Sequence, residues 1–63
     1  MQNLPISVVV PAKNAEVTIG ECLASIQRNN PAEIIVVDGN STDRTVGIAQ
    51  RYTQRIYSDD FHR

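Results

Sequence analysis

Asn14, Glu16 and Asp38 are the residues of this chain best placed to do chemistry. Each follows an apolar run. Ile34-Ile35-Val36-Val37 leads straight into Asp38 and then into Gly39-Asn40-Ser41-Thr42, a stretch of turn formers. Ile6-Ser7-Val8-Val9-Val10-Pro11-Ala12 leads in the same way to Lys13 and Asn14. A buried strand that delivers a carboxylate to its own carboxyl end puts it where open α/β sheets bind ligands. Two such strands side by side make a crevice with Asn14, Glu16 and Asp38 at its mouth, suited to a small polar ligand. A carboxylate at the end of a buried strand is costly unless bonded, so Asp38 reads as a functional group rather than a solvated one. Asn14 fits either a turn or a ligand contact. Asp43 reads as a helix-terminus residue, favoured there by the macrodipole.

The elements that must position these groups follow from periodicity. Residues 6–11 read as a strand that Pro11 ends, apolar on both faces, as in a central strand. Residues from about 16 to 28 read as a helix, with Ile19, Cys22, Leu23 and Ile26 on one stripe. Thr18 and Glu21 have the spacing of a capping box, and Asn29-Asn30-Pro31 stops the helix. Residues 33–38 are a second strand. A second helix is expected over about 43–53, capped by Ser41 or Thr42, with Thr45, Ile48, Ala49 and Tyr52 facing inward. Arg55 to Ser58 reads as a short third strand, and residues 59–63 have no period. The order β-α-β-α-β with right-handed crossovers predicts three parallel strands in order 3-2-1, with two helices on one face. The other face, and the outer edge of the first strand, would then be bare.

Composition narrows the function classes. Sixty-three residues make one small domain, of a size that buries only about 60% of its unfolded surface. One cysteine permits no internal disulfide, and no Cys/His spacing suits zinc. Cys22 is expected to be a buried structural thiol. Six scattered basic residues and a net charge of −1 argue against nucleic-acid binding. No apolar run approaches the ~20 residues of a membrane span, and no signal peptide is visible. A lone cysteine then fits a cytoplasmic setting. The segment from Pro11 to Glu16 lacks the glycines of a dinucleotide fingerprint or a P-loop. Asp38 to Asp43 has too few placed oxygens for an EF-hand, and Asp59-Asp60 reads as a solvated acidic loop.

Three segments together resemble the amino-terminal half of family 2 glycosyltransferases with the GT-A fold. They are Val8-Val9-Val10-Pro11-Ala12-Lys13-Asn14-Ala15-Glu16, Glu21-Cys22-Leu23-Ala24-Ser25-Ile26 and Glu33-Ile34-Ile35-Val36-Val37-Asp38-Gly39-Asn40-Ser41-Thr42-Asp43-Arg44-Thr45. The resemblance covers about residues 6–58 and implies a Rossmann-like half of a GT-A domain. It implies a nucleotide-sugar partner, a UDP-sugar in the first instance. Pro11, Ala12 and Asn14 would line the nucleoside pocket, Glu16 would meet the ribose, and Asp38 would accept a hydrogen bond from the base. An ionised carboxylate suits that role, because uracil N3–H is a donor. Gly39 stands where the family has a second Asp, Asn40 where it has Gly, and Glu16 lies one place past the usual acidic position.

The resemblance also implies that a full-length relative holds a divalent metal, Mg or Mn, on an Asp-x-Asp motif. That motif and the catalytic base fall beyond the matching segments. The expectation for residues 1–63 is therefore a truncated nucleotide-sugar-binding subdomain with no catalytic residue and no cofactor of its own. The alternative is a self-associating α/β domain without ligand. A homodimer through the first-strand edge or the bare face is expected in either case.

Overall fold

A computed structural model describes residues 4–59. Within them the order is β1 (Leu4–Ala12), α1 (Ile19–Gln27), β2 (Pro31–Asp38), α2 (Thr45–Ala49) and β3 (Ile56–Ser58). The three strands form one parallel sheet in the order β1-β2-β3, the arrangement expected from two right-handed crossovers. The expected irregular tail 59–63 lies, apart from Asp59, outside the described residues.

Alternation along the strands decides which side packs. Val10 and Ala12 of β1 and Ile34 and Val36 of β2 are buried against Ile19 and Leu23 of α1 and Ala49 of α2. Val8, Ile26, Ile48, Tyr52 and Ile56 pack around this cluster. Both helices therefore serve one core on one face. The opposite face carries Val9 beside Ile35, Pro11 beside Val37, and Val37 beside Tyr57. Val9 is 58% exposed and Tyr57 55%. The apolar reading of both faces of the first strand was accurate as chemistry but not as position. β1 is an edge strand here, not a central one, and its second face is uncovered.

Pro11 lies inside β1 rather than ending it. In a parallel ladder alternate residues turn their amide groups to the same neighbour. The Gly39 amide donates to the Ala12 carbonyl at 2.8 Å, so Ala12 and Val10 face β2. Pro11 then points its missing N–H at the open edge, where nothing needs it. Pro31 opens β2, also without loss of a needed donor. Asn30, with φ 48°, makes the left-handed turn that separates it from α1.

The helices are shorter than their periodicity suggests. The capping box of α1 does not form. Thr18 has helical rather than extended backbone and makes no side-chain cap. Instead the amides of Thr18 and Ile19 both donate to the Ala15 carbonyl, so the chain winds into the helix through a turn. In α2 the ladder tightens after Ala49. The Arg51 and Tyr52 amides reach back three residues to Ile48 and Ala49. Thr53 then gives its hydroxyl to the Ile34 carbonyl at 2.7 Å, tying the chain to β2 before β3 begins.

Cys22 corrects a further expectation, since it is exposed. The α1 stripe is centred on Ile19, Leu23 and Ile26. Its α2 side is marked by Gly20, where an added Cβ would lie 3.5 Å from Ile48 Cγ2. Cys22 falls on the other flank, away from α2. Among the described residues no helix is long and apolar enough to cross a membrane.

Leu23 is fully buried where α1 meets the sheet. Leu23→Ala should cost about 2–5 kcal/mol by emptying that contact, while Cys22→Ser should stay within about 0.5 kcal/mol. Urea denaturation followed by circular dichroism measures both.

Candidate functional site

The carboxyl ends of β1 and β2 bring two loops together, residues 13–18 and residues 39–44. Ala12 and Asp38 are register partners, side by side on the helix-covered face. Asp38 is 3% exposed. Its burial is tolerated because Ser41 turns back onto it. The Ser41 amide donates to Asp38 Oδ2 at 3.0 Å, and the Ser41 hydroxyl donates to Oδ1. Asn40, with φ 61°, makes the reversal that lets Ser41 do this. Asparagine tolerates that conformation better than most residues.

The first loop is held by the second through its own backbone. The Asn14 amide donates to Ser41 Oγ at 2.8 Å, and the Ala15 amide donates to Thr45 Oγ1 at 2.7 Å. The Glu16 amide donates to Asp43 Oδ2 at 3.3 Å. In return the Thr42 amide donates to Asn14 Oδ1 at 2.8 Å. Thr45, fully buried, passes its hydroxyl proton toward Asp43 Oδ1, which also accepts the Thr45 amide at 2.9 Å. Two parallel relays result. Each runs from a loop amide to a hydroxyl to a carboxylate: Asn14 to Ser41 to Asp38, and Ala15 to Thr45 to Asp43.

Three consecutive amides, those of residues 14–16, are thus committed to side-chain acceptors. They do not form an open anion nest, so a P-loop-like phosphate cradle is excluded on geometry as well as on sequence. Among the described residues no three acidic, His or Cys groups converge to hold a metal ion. Asp38 and Asp43 are turned to hydroxyls and amides, and Asp59 is exposed, its amide extending the ladder to the Asp38 carbonyl at 2.8 Å. These residues do not fit the divalent ion that the GT-A resemblance implies for a full-length relative.

A model of a protein family described as glycosyl transferase family 2 matches residues 7–62. The chain belongs to that family. A lipopolysaccharide core biosynthesis glycosyltransferase, LpsC, from Rhizobium meliloti is 41% identical over 49 residues. That alignment covers 78% of this chain and 17% of the relative. A 4,4'-diaponeurosporenoate glycosyltransferase from Staphylococcus aureus is 40% identical over 48 residues, 75% of this chain and 13% of the relative. The chain thus spans less than a fifth of the length of these relatives. No solved structure gives a significant match.

Of the residues marked out by sequence in this family 2 glycosyltransferase chain, Ala12, Asn14 and Asp38 converge. Asn14 carries φ 47° and spans both loops through its amide and its side chain. Pro11 projects to the opposite, uncovered face, and the Glu16 side chain is exposed in the turn before α1. The expected caps are reassigned. Ser41 serves Asp38, and Thr42 meets Asn14, while Asp43 bonds the Thr45 amide at the start of α2. The part of Thr45 was missed, because a threonine on an apolar stripe reads as core. Two clefts lie on the α2 and β3 side of the sheet, and neither is lined by Asp38 itself. One is lined by Gln50 to Tyr57, the other by residues between Val46 and Ser58.

Asp43 titrates below the ordinary 3.8, chiefly because the Thr45 hydroxyl donates to it, with the Thr45 and Glu16 amides adding to the effect against partial desolvation. A carboxyl lowered on folding stabilises the fold fully above its unfolded value, and that contribution is lost as pH falls through the lower folded value. Asp43→Asn should therefore lower stability at neutral pH and flatten the loss of stability below pH ~4. Urea midpoints across that range measure it.

Proposed function

We propose that this chain forms the nucleoside-binding part of the nucleotide-sugar donor site of a family 2 glycosyltransferase. The supporting observation is the fixed Asp38 carboxylate at the carboxyl end of β2, beside Ala12 and under the loop anchored by Asn14. Each carboxylate oxygen has two lone-pair sites. Ser41 uses one on each, and the remaining sites are the acceptors that this reading assigns to a base N–H. Uracil presents such a donor at N3, and adenine has none at the equivalent ring nitrogen, which favours a uridine over an adenosine nucleotide. Glu16, exposed at the loop mouth, is in reach of a ribose hydroxyl in this reading. Pro11 contributes through its backbone direction, not by contact from its ring.

In the transfer reaction of the family, a nucleophile on the acceptor attacks the sugar's anomeric carbon and the nucleoside diphosphate leaves. The residues of this chain would bind and orient the nucleoside in that reaction. In this reading neither metal binding nor proton abstraction is assigned to a residue of this chain. A cytoplasmic setting is part of the same reading, since the exposed Cys22 stays reduced there.

A melting-temperature titration with UMP, UDP, GDP and ADP, with and without manganese, tests the proposal. A ligand at a hundredfold its Kd adds about 2.7 kcal/mol to stability, and each kcal/mol raises the Tm of a domain this small by roughly 4–8 °C. A rise confined to the uridine nucleotides and indifferent to manganese is expected. Asp38→Asn keeps the shape but loses the charge, and should weaken binding at least tenfold, by about 1.5–3 kcal/mol. Equal binding by Asp38→Asn would remove Asp38 from the site. No shift with any nucleotide would overturn the nucleoside reading.

A second reading, self-association, rests on the uncovered face with Val9 and Tyr57 more than half exposed. Face-to-face packing is favoured over pairing of β1 edges. Pro11 removes one of the outward donors of that edge, leaving Ser7 and Val9 between residues 7 and 12. Sedimentation velocity at tens of micromolar should show a dimer that Val9→Lys returns to monomer. A monomeric wild-type chain would end this reading.

A further inference from the structure

We propose that Thr45 and Asp43 are positioning residues of the nucleoside site, acting on it through the backbone of Ala15 and Glu16. This inference rests on the nucleoside reading given above. Neither side chain is assigned a ligand contact. Their effect is to hold the loop that carries Asn14 and Glu16.

The geometry is specific. Thr45 Oγ1 accepts the Ala15 amide at 2.7 Å while giving its own proton to Asp43. Asp43 uses its other oxygen for the Glu16 amide. A hydroxyl that both accepts and donates in one line polarises each bond, and the carboxylate at the end strengthens the whole relay. Thr45 is fully buried on the core-facing side of α2, so its hydroxyl is held by packing rather than by solvent. The relay therefore refers the loop to the hydrophobic core.

The neighbouring relay, Asn14 to Ser41 to Asp38, is buried only at its carboxylate end, where Asp38 closes β2. Asn14 is exposed, Ser41 half-buried, and both belong to loops. Asn14 also sits in a left-handed conformation, with φ 47°. Such a residue persists when its surroundings over-determine it. Its own bonds to Ser41 and Thr42 and those of Ala15 and Glu16, the next two residues, supply that determination together. Without the bonds of Ala15 and Glu16 the loop would pivot about Asn14, and the backbone that carries the exposed Glu16 side chain would be released.

Two variants separate the two bonds. Thr45→Val keeps volume and branching but leaves the Ala15 amide without an acceptor. Asp43→Asn keeps the outline of the side chain. With its Oδ1 still toward Thr45, it turns an NH2 group toward the Glu16 N–H and leaves that donor unpaired. Thr45→Ser restores the hydroxyl and serves as the rescue. Backbone amide exchange by NMR reads the loop, and isothermal titration with UMP reads the site. Both are run where circular dichroism shows each variant folded.

Thr45→Val should speed exchange at Ala15 and Asp43→Asn at Glu16, each at least tenfold, with the β2 amides unchanged. UMP affinity should fall about tenfold in both, and Thr45→Ser should recover most of it. Faster exchange with unchanged UMP affinity would overturn the positioning role while leaving the nucleoside reading intact. Unchanged exchange in both variants would overturn the relay itself. Failure of the wild-type chain to bind UMP would overturn the nucleoside reading and this inference with it.

Discussion

A carboxylate cannot be carried into the interior at the end of a central strand without donors to meet it. Asp38 is buried on the face where the helices pack, and the local chain answers that demand. Gly39 and Asn40 reverse direction, and Ser41 returns an amide and a hydroxyl to the two oxygens. Once Ser41 is placed, its oxygen becomes an acceptor for Asn14, and the two loops are joined. Leaving such a charge unpaired would cost several kcal/mol, a large share of the stability available to a domain of this length. Among the described residues no buried side-chain polar atom lacks a hydrogen bond.

The same constraint explains how a five-residue helix holds its place. The α2 helix is too short to be stable by itself. Thr45 at its start is tied to Asp43 and to the Ala15 amide, and Ala49 at its end packs into the core. Thr53, a turn later, is tied to Ile34. Tertiary hydrogen bonds at both ends of the connection replace the intrinsic stability that the segment lacks. The weak Arg55–Glu33 pair, 3.9 Å apart with Arg55 exposed, adds little by comparison.

The sheet is finished on one side only. Alternation along β2 buries Ile34, Val36 and Asp38 fully and leaves Ile35 and Val37 half-covered. Side-chain burial on the helix face is thus separated from an apolar but open second face bearing Val9 and Tyr57. The chain spans 17% and 13% of the two relatives described.

The elements and their order were legible in the residues themselves. Period-two and period-three-to-four apolar spacing is a local property, and the strand-helix-strand alternation it reveals is what makes consecutive strands run parallel. Asp38 as a buried strand-end carboxylate was legible for the same reason. Other features depended on which of several available partners the folded backbone brought within reach. Whether Thr18 caps α1 was settled by the Ala15 carbonyl, and the exposure of Cys22 by the side on which α2 lies. Ser41 and Thr42 looked like helix caps because a hydroxyl before a helix has that use locally. Their actual partners, Asp38 and Asn14, became available through the turn at Asn40 and the pairing of β1 with β2. Sequence by itself determined the strands, the helices and the polar residues at the strand ends. Tertiary structure decided which amide of the first loop meets which hydroxyl of the second, because those partners lie 27 and 30 residues apart and meet only once β1 pairs with β2.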